Sequence, residues 1–349
     1  MDFFDVQEQL SKQVANTLKV RLSPDAQKRF TENFDAYVLY LEGRSHQFKL
    51  GTTDVSDAIT NYQKAIQLDP NYALAYAGIA DCNRSLVLSG EIRPADKIEK
   101  AISSAETAVS LDPKLAEAQT ALGFVKFWFR HDWVGAETAF KQALELAPNS
   151  AGAHHHYAHL LLLIGRNDEA LREAEIACTL DPTNPLYATI GGVIYQQAGQ
   201  PETALARFKQ ADELEKSLWL PQMFTAITYI DLGRYQEALD LTQKISALNE
   251  SQSMSLAYES VALARLGRRN EAKKALQELL ERSKNRYVPP YHLAIAYVGI
   301  GDHEHALEWL EKSFVGQDPK IVFLKVDKIW DPLRSKPRFV KLMTDLNLN

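Results

Sequence analysis

"LGRYQEAL", residues 232–239, decides the fold, because the chain writes it repeatedly. "IGRNDEAL" starts at Ile164, "AGQPETAL" at Ala198, "LGRRNEAK" at Leu266 and "IGDHEHAL" at Ile300. The glycines of these copies, Gly165, Gly199, Gly233, Gly267 and Gly301, stand 34 residues apart. The alanines Ala170, Ala204, Ala238, Ala272 and Ala306 keep the same step. A period of that length held across five copies marks a stacked repeat array.

One unit, residues 217–250, shows what is repeated. Leu220, Met223, Ile227 and Ile230 recur at helical spacing, and Ala238, Leu241, Ile245 and Leu248 do so again. Between them lies "DLGRY", where Gly233 can take the left-handed conformation that ends a helix. Each unit is therefore predicted to be a pair of antiparallel amphipathic helices, with the alanine at the close crossing between them. A single hairpin cannot bury its own faces, but a stack can. The expected fold is all-α, a right-handed superhelical solenoid, with no sustained alternation of period two to suggest strands.

Several units resemble the tetratricopeptide repeat, a 34-residue helix pair with small residues, an aromatic and a closing proline at fixed places. "NYQKAIQLDP" carries Tyr62, Ala65 and Pro70 there, "AFKQALELAP" carries Phe140, Ala143 and Pro148, and "EAEIACTLDP" carries Ala174, Ala177 and Pro182. Eight repeats are expected, their second helices marked by Ala58, Ala101, Ala136 and the five alanines above. The first three are irregular. Gly43 to Ala58 is three residues too long, Gly78 to Ala101 is eleven too long around "LSGEIRP", and Gly123 to Ala136 is one too long at "FRHDW".

The organisation expected is an N-terminal helical cap or connector over residues 1–35, an array over 36–319 and a C-terminal capping segment over 320–349. Val6, Leu10, Val14, Leu18 and Leu22 mark one amphipathic helix in the first part. Ser23 and Pro24 read as the N-cap and first position of a second. The string "VDKIWDPLRSKPRF" (326–339) is similar to the segment that closes such arrays in large bacterial signalling proteins. In those proteins the array follows a winged-helix DNA-binding domain, an adenylate cyclase or a Ser/Thr kinase. The resemblance implies a sensory or scaffolding module.

A formal net charge of −6 argues against a nucleic-acid footprint, which needs a concentrated basic face. The two cysteines, Cys82 and Cys178, fall in the helical pattern and read as buried reduced thiols. No apolar run reaches 18 residues and the acidic start lacks a signal core. A cytoplasmic protein, or the soluble part of a membrane-anchored one, is expected.

Little suggests catalysis. There is no Walker loop and no dinucleotide fingerprint, and "IGGV" at 190–193 reads as close helix packing. "DHEHALEW" holds His303, Glu304 and His305, but Leu307 breaks the H-E-x-x-H pattern. "HHHYAHL" supplies His154, His155, His156 and His159, of which His155 and His159 share a helical face. Zinc sites take three or four protein ligands, so this count falls short. No cofactor and no metal are expected, and a metal-dependent enzyme using the His154–His159 cluster is the weakest of three readings.

The leading reading is a non-catalytic interaction scaffold that binds a peptide or helical segment in a concave groove. The second is a sensory or regulatory domain of a larger bacterial signalling protein. In the family, positions 2, 5, 9, 12 and 13 of the repeat face the groove. Carried over residue by residue, the resemblance implies Tyr37, Tyr40, Arg44, Gln47 and Phe48, then Tyr72, Ala75, Ile79, Cys82 and Asn83, then Glu117, Thr120, Phe124, Phe127 and Trp128. Further along it implies His155, His159, Leu162, Leu163, Thr189, Gln196, Met223, Ile227, Asp231 and Arg265. The aromatic N-terminal half would suit an apolar partner, or the chain's own N-terminal helix. The family's carboxylate clamp needs lysine and asparagine at positions 5 and 9. Tyr40 and Arg44, Ala75 and Ile79, and Thr120 and Phe124 stand there instead, so a chaperone-tail receptor is not implied.

Overall fold

A computed structural model describes residues 31–47, 52–249 and 252–348. Sixteen helices within them pair in sequence as hairpins. The first helices are α1 (Phe34–Gln47), α3 (Ala73–Ser89), α5 (Ala116–Val125), α7 (Ala151–Leu163), α9 (Pro185–Gln197), α11 (Trp219–Asp231), α13 (Ser253–Arg265) and α15 (Pro290–Ile300). Their partners are α2 (Thr52–Leu68), α4 (Ile98–Leu111), α6 (Trp133–Leu146), α8 (Asn167–Leu180), α10 (Pro201–Leu214), α12 (Tyr235–Leu248), α14 (Arg269–Asn285) and α16 (His303–Val315). Each first helix also packs on the next first helix, which makes an all-helical solenoid, and the described residues hold no strand. The expected helices before residue 31, and Phe48, lie outside the described residues.

The period works as its chemistry requires. Gly233 has φ +74°, its N–H donates to the Ile230 carbonyl (3.0 Å), and the Arg234 N–H reaches back to the Tyr229 carbonyl (2.8 Å). That pair of bonds satisfies two carbonyls at the end of α11 and turns the chain into α12. The five alanines that follow the glycines are fully buried at the crossings. In the first repeats a ring fits against glycine instead: the Tyr62 ring lies where a Cβ on Gly43 or Gly78 would stand, 2.6 and 2.7 Å away. One aromatic from α2 thus locks α1 and α3 together.

The irregular repeats absorb their extra residues in defined ways. The single excess residue at "FRHDW" becomes a π-helical turn over Lys126–Arg130, closed by His131 at φ +50° and by the Asp132 N–H donating to the Lys126 carbonyl (3.0 Å). A one-residue insertion in an α-helix commonly resolves this way. The eleven extra residues of repeat two lengthen α3, end it at Gly90 (φ +77°) and add a 3-10 turn over Pro94–Asp96. There the chain meets the far end of the array: Gln252 donates to Glu91 across 161 residues, and Pro289 lies against Gly90.

After α16 the chain makes two 3-10 segments, Pro319–Lys325 and Lys328–Leu333, and then α17 (Pro337–Asp345). Trp330 is fully buried and its indole N–H donates to the Tyr291 hydroxyl (2.9 Å). That hydroxyl donates in turn to Asp327 (2.9 Å), and Arg334 holds the Leu324 and Asp327 carbonyls at 3.1 Å each. This polar frame explains the residues of "VDKIWDPLRSKPRF". The Pro319–Lys325 segment reaches α3, the π turn and α7, so the array's end touches its beginning.

Candidate functional site

The first helices of the N-terminal half carry the candidate site. The aromatic residues expected to line it are not an open strip. Tyr37, Tyr40, Tyr72, Ile79, Phe124, Phe127, Trp128 and Met223 are buried, as are Ala75, Cys82, Asn83, Leu162, Leu163, Thr189 and Gln196. Tyr40 packs between Tyr62 (5.6 Å) and Tyr72 (5.3 Å) in tilted contacts, so these rings fill the joints between repeats. Phe127 packs on Trp128 (4.6 Å), and Trp128 is covered by Phe323 of the returning C-terminal segment (5.6 Å). Ile227, Glu117, Thr120, Gln47 and His155 are half-buried, and Arg44, Asp231 and Arg265 are exposed.

A polar line does remain partly open. Gln47 on α1 donates to Asp81 on α3 (2.5 Å), one repeat away. Asp81 also accepts from Arg84 (2.8 Å), whose guanidinium lies 5.3 Å from the centre of the Phe124 ring. Arg44 donates to the Tyr40 hydroxyl (3.2 Å). His155 on α7 meets Tyr187 of α9 at 5.1 Å. Sequence reasoning missed Asp81, Arg84 and Tyr187. Their signal was a charged pair and a tyrosine on helices that are otherwise apolar, and the family's position rule passed over it.

The four histidines part ways. Ser150 caps α7, and His154 lies in its first turn, where its Nδ1 meets Glu173 and its Nε2 meets the Pro148 carbonyl (2.9 Å). Burial lowers the His154 pKa, but the Glu173 carboxylate and that carbonyl outweigh it and leave the pKa raised. His155, His156 and His159 turn to the other side, and their ligand atoms lie within 4.8 Å of one another. Burial, and then the neighbouring imidazoles and Arg84, hold His155 and His156 well below the usual range. Burial with Arg84 takes His159 to about 3. All three are neutral rings at neutral pH. The sequence counted two histidines on this face, and the fold brings in a third, His156.

Two further clusters lie where the closing segment crosses the array. Asp327 accepts from Tyr291 and from Gln197 (3.0 Å), while Gln196 donates to Asp231 (2.9 Å), and Asp327, Gln196, Gln197 and Asp231 line a small cavity with Ile227. Burial first, and the facing Asp231 carboxylate against the Tyr291 and Gln197 hydrogen bonds, lift Asp327 to about 7. Ser253 meets His292 (2.8 Å), whose other nitrogen meets Lys320 (3.0 Å). A serine beside an imidazole suggests a nucleophile, but both are buried and the ammonium withdraws basicity from the ring. Cys82 and Cys178 are free and buried, as expected. Among the described residues no helix is long and apolar enough to cross a membrane.

A "TPR repeat" family model matches residues 54–82 and a "Tetratricopeptide repeat" model matches residues 130–190. Tetratricopeptide-repeat sequence is thus recognised in two stretches of the array. Tetratricopeptide arrays in general serve as protein-interaction scaffolds. The transcriptional regulator HilA of Salmonella typhimurium is 25% identical over 251 residues, 68% of this chain and 44% of HilA. Superkiller protein 3 of Schizosaccharomyces pombe is 24% identical over 242 residues, 67% of this chain and 16% of that protein. The chain therefore spans less than half the length of these relatives. A tetratricopeptide repeat protein from Parabacteroides merdae superposes with a TM-score of 0.52 at 14% identity, covering 78% of this chain and 99% of its own. The human IFIT1 dimer with m7Gppp-AAAA gives 0.55 at 17% identity, covering 89% and 77%. These structural likenesses are likenesses of fold.

Proposed function

We propose that this tetratricopeptide array is a non-catalytic scaffold that receives an extended or helical protein segment along the face shared by α1, α3, α5 and α7. The observation that carries this reading is the line Arg44, Gln47, Asp81, Arg84 and His155. These residues stay at least partly accessible on α1, α3 and α7, over rings that are buried. The buried aromatics make a rigid floor, and the polar line supplies orientation. A segment carrying both an acidic and a hydrogen-bonding side chain suits Arg44, Arg84 and Gln47 best. The net charge of −6 weighs against nucleic acid as the partner.

A peptide library screened against the immobilised full chain tests the reading. Arg44→Glu with Arg84→Glu should weaken a selected peptide by roughly 30-fold or more, as loss of an interface hot spot does, with helicity unchanged. Binding that ignores both reversals contradicts it. The second reading, a regulatory part of a larger protein, is favoured by the match to HilA, a transcriptional regulator of which this chain matches 44%. The sequence encoded upstream of Met1 in the native gene decides it.

A further inference from the structure

Of the three histidines that turn away from Glu173, His156 and His159 have no use in the scaffold reading, which takes up His155 alone. We propose that His155, His156 and His159 bind one divalent transition-metal ion, with Zn2+ the best fit, on the inner face of α7. Their ligand atoms already lie within 4.8 Å of one another. Zinc binds imidazole nitrogen at about 2.0–2.1 Å, which sets the nitrogens of a tetrahedral site roughly 3.4 Å apart.

The surroundings favour a ligand role over simple packing. His156 is buried against Phe124 (5.5 Å) and Phe140 (6.2 Å), yet its Nδ1 has no hydrogen-bond partner. A purely apolar joint would be served better by a phenylalanine or leucine, which leaves no polar atom unmatched. Among the described residues His155 and His159 make ring contacts, to Tyr187, Trp128 and Phe323, and no hydrogen bond. His154 is excluded because both its nitrogens are occupied. The Arg84 charge acts on all three rings, and its ion pair with Asp81 (2.6 Å) offsets it. Imidazole donors suit zinc, copper and nickel and not the hard cations calcium or magnesium. Three protein ligands leave a fourth position for water or for a donor atom of a bound segment. The inference shares His155 with the peptide-binding reading but is tested apart from it, since a metal binds with or without a partner.

The test uses the full chain, purified without a polyhistidine tag and dialysed against chelator. ZnCl2 titrated by calorimetry should saturate at one ion per chain. CoCl2 should give the visible absorption of a tetrahedral site. His155→Gln and His159→Gln should each weaken zinc binding by at least about tenfold, since even residues behind metal ligands cost that much. His303→Gln with His305→Gln, on α16, should leave it unchanged. If the α7 variants do not fold, the cobalt spectrum of the unmodified chain still decides. Absence of saturable zinc binding and of that spectrum overturns the proposal, and so does zinc binding that survives loss of His155 and His159.

Discussion

Residues 164–301 and residues 31–163 are built from the same hairpin, yet they behave differently. In the first stretch every unit keeps its 34-residue step, each turn is closed by a glycine at positive φ, and the helices pack mainly on their neighbours in sequence. In the second the step is broken, and the breaks are contacts. The extra turn after α3 meets Gln252 and Pro289. The π turn after α5 presents Trp128 to Phe323, and Trp133 just beyond it donates to the Leu346 and Asn347 carbonyls (3.2 and 3.0 Å). The regular repeats hold the closing segment through Gln197 and Tyr291, and the irregular ones add contacts to it through Trp128 and Trp133. The candidate polar line and the histidine cluster lie in that irregular half.

The regular half should break hardest when its crossing is filled. Ala238 has no exposed surface between α11 and α12. Ala238→Trp should destabilise the fold by about 3 kcal/mol or more, at or above the overpacking range, read by denaturant unfolding. A neutral result would mean that the helix register drawn from the period is wrong.

The junction between the array and its closing segment should respond to pH. Asp327 has its folded pKa lifted from 3.8 to about 7 by burial and the Asp231 carboxylate, so the folded state holds its proton longer than the unfolded chain. Its contribution is fully present below about pH 4 and is lost as pH rises through about 7. Asp327→Asn keeps an acceptor for Tyr291 and removes this slope. Its melting temperature should exceed that of the unmodified chain most at pH 8 and least at pH 4, with roughly 2–4 °C for each kcal/mol. Equal melting temperatures at both pH values would remove Asp327 from the account.

The smallest effect sharpens the regular half. Gly233→Ala meets open space, with only the Tyr235 hydroxyl at 4.0 Å, so the cost is that of holding a side chain at φ +74°. That is about 1–2 kcal/mol by thermal or denaturant unfolding. A loss well beyond this would mean that the turn carries packing the geometry does not contain.

The fold was legible because a repeat states its own structure many times over. Gly165 to Gly301 gave the turns, Ala170 to Ala306 the crossings, and the one-residue excess at "FRHDW" located the π turn. The site was legible only in part. The family's positions placed Tyr40, Phe124 and Trp128 on the groove, but whether a ring at a given position is open depends on what lies over it. What lies over Trp128 is Phe323, and no local pattern links residues so far apart in sequence. Helical spacing pairs His155 with His159 at i and i+4, while the long imidazole arms let His156 at i+1 join the cluster as well.

Hydrogen exchange on the full-length Phe323→Ala chain tests most directly the claim that the irregular repeats are held by the closing segment. Phe323 touches Trp128 and His159 and belongs to no repeat. The account predicts faster exchange over residues 126–130 and 155–163, with residues 199–248 unchanged. Faster exchange confined to residues 303–348, with the π turn and α7 protected as before, would contradict it.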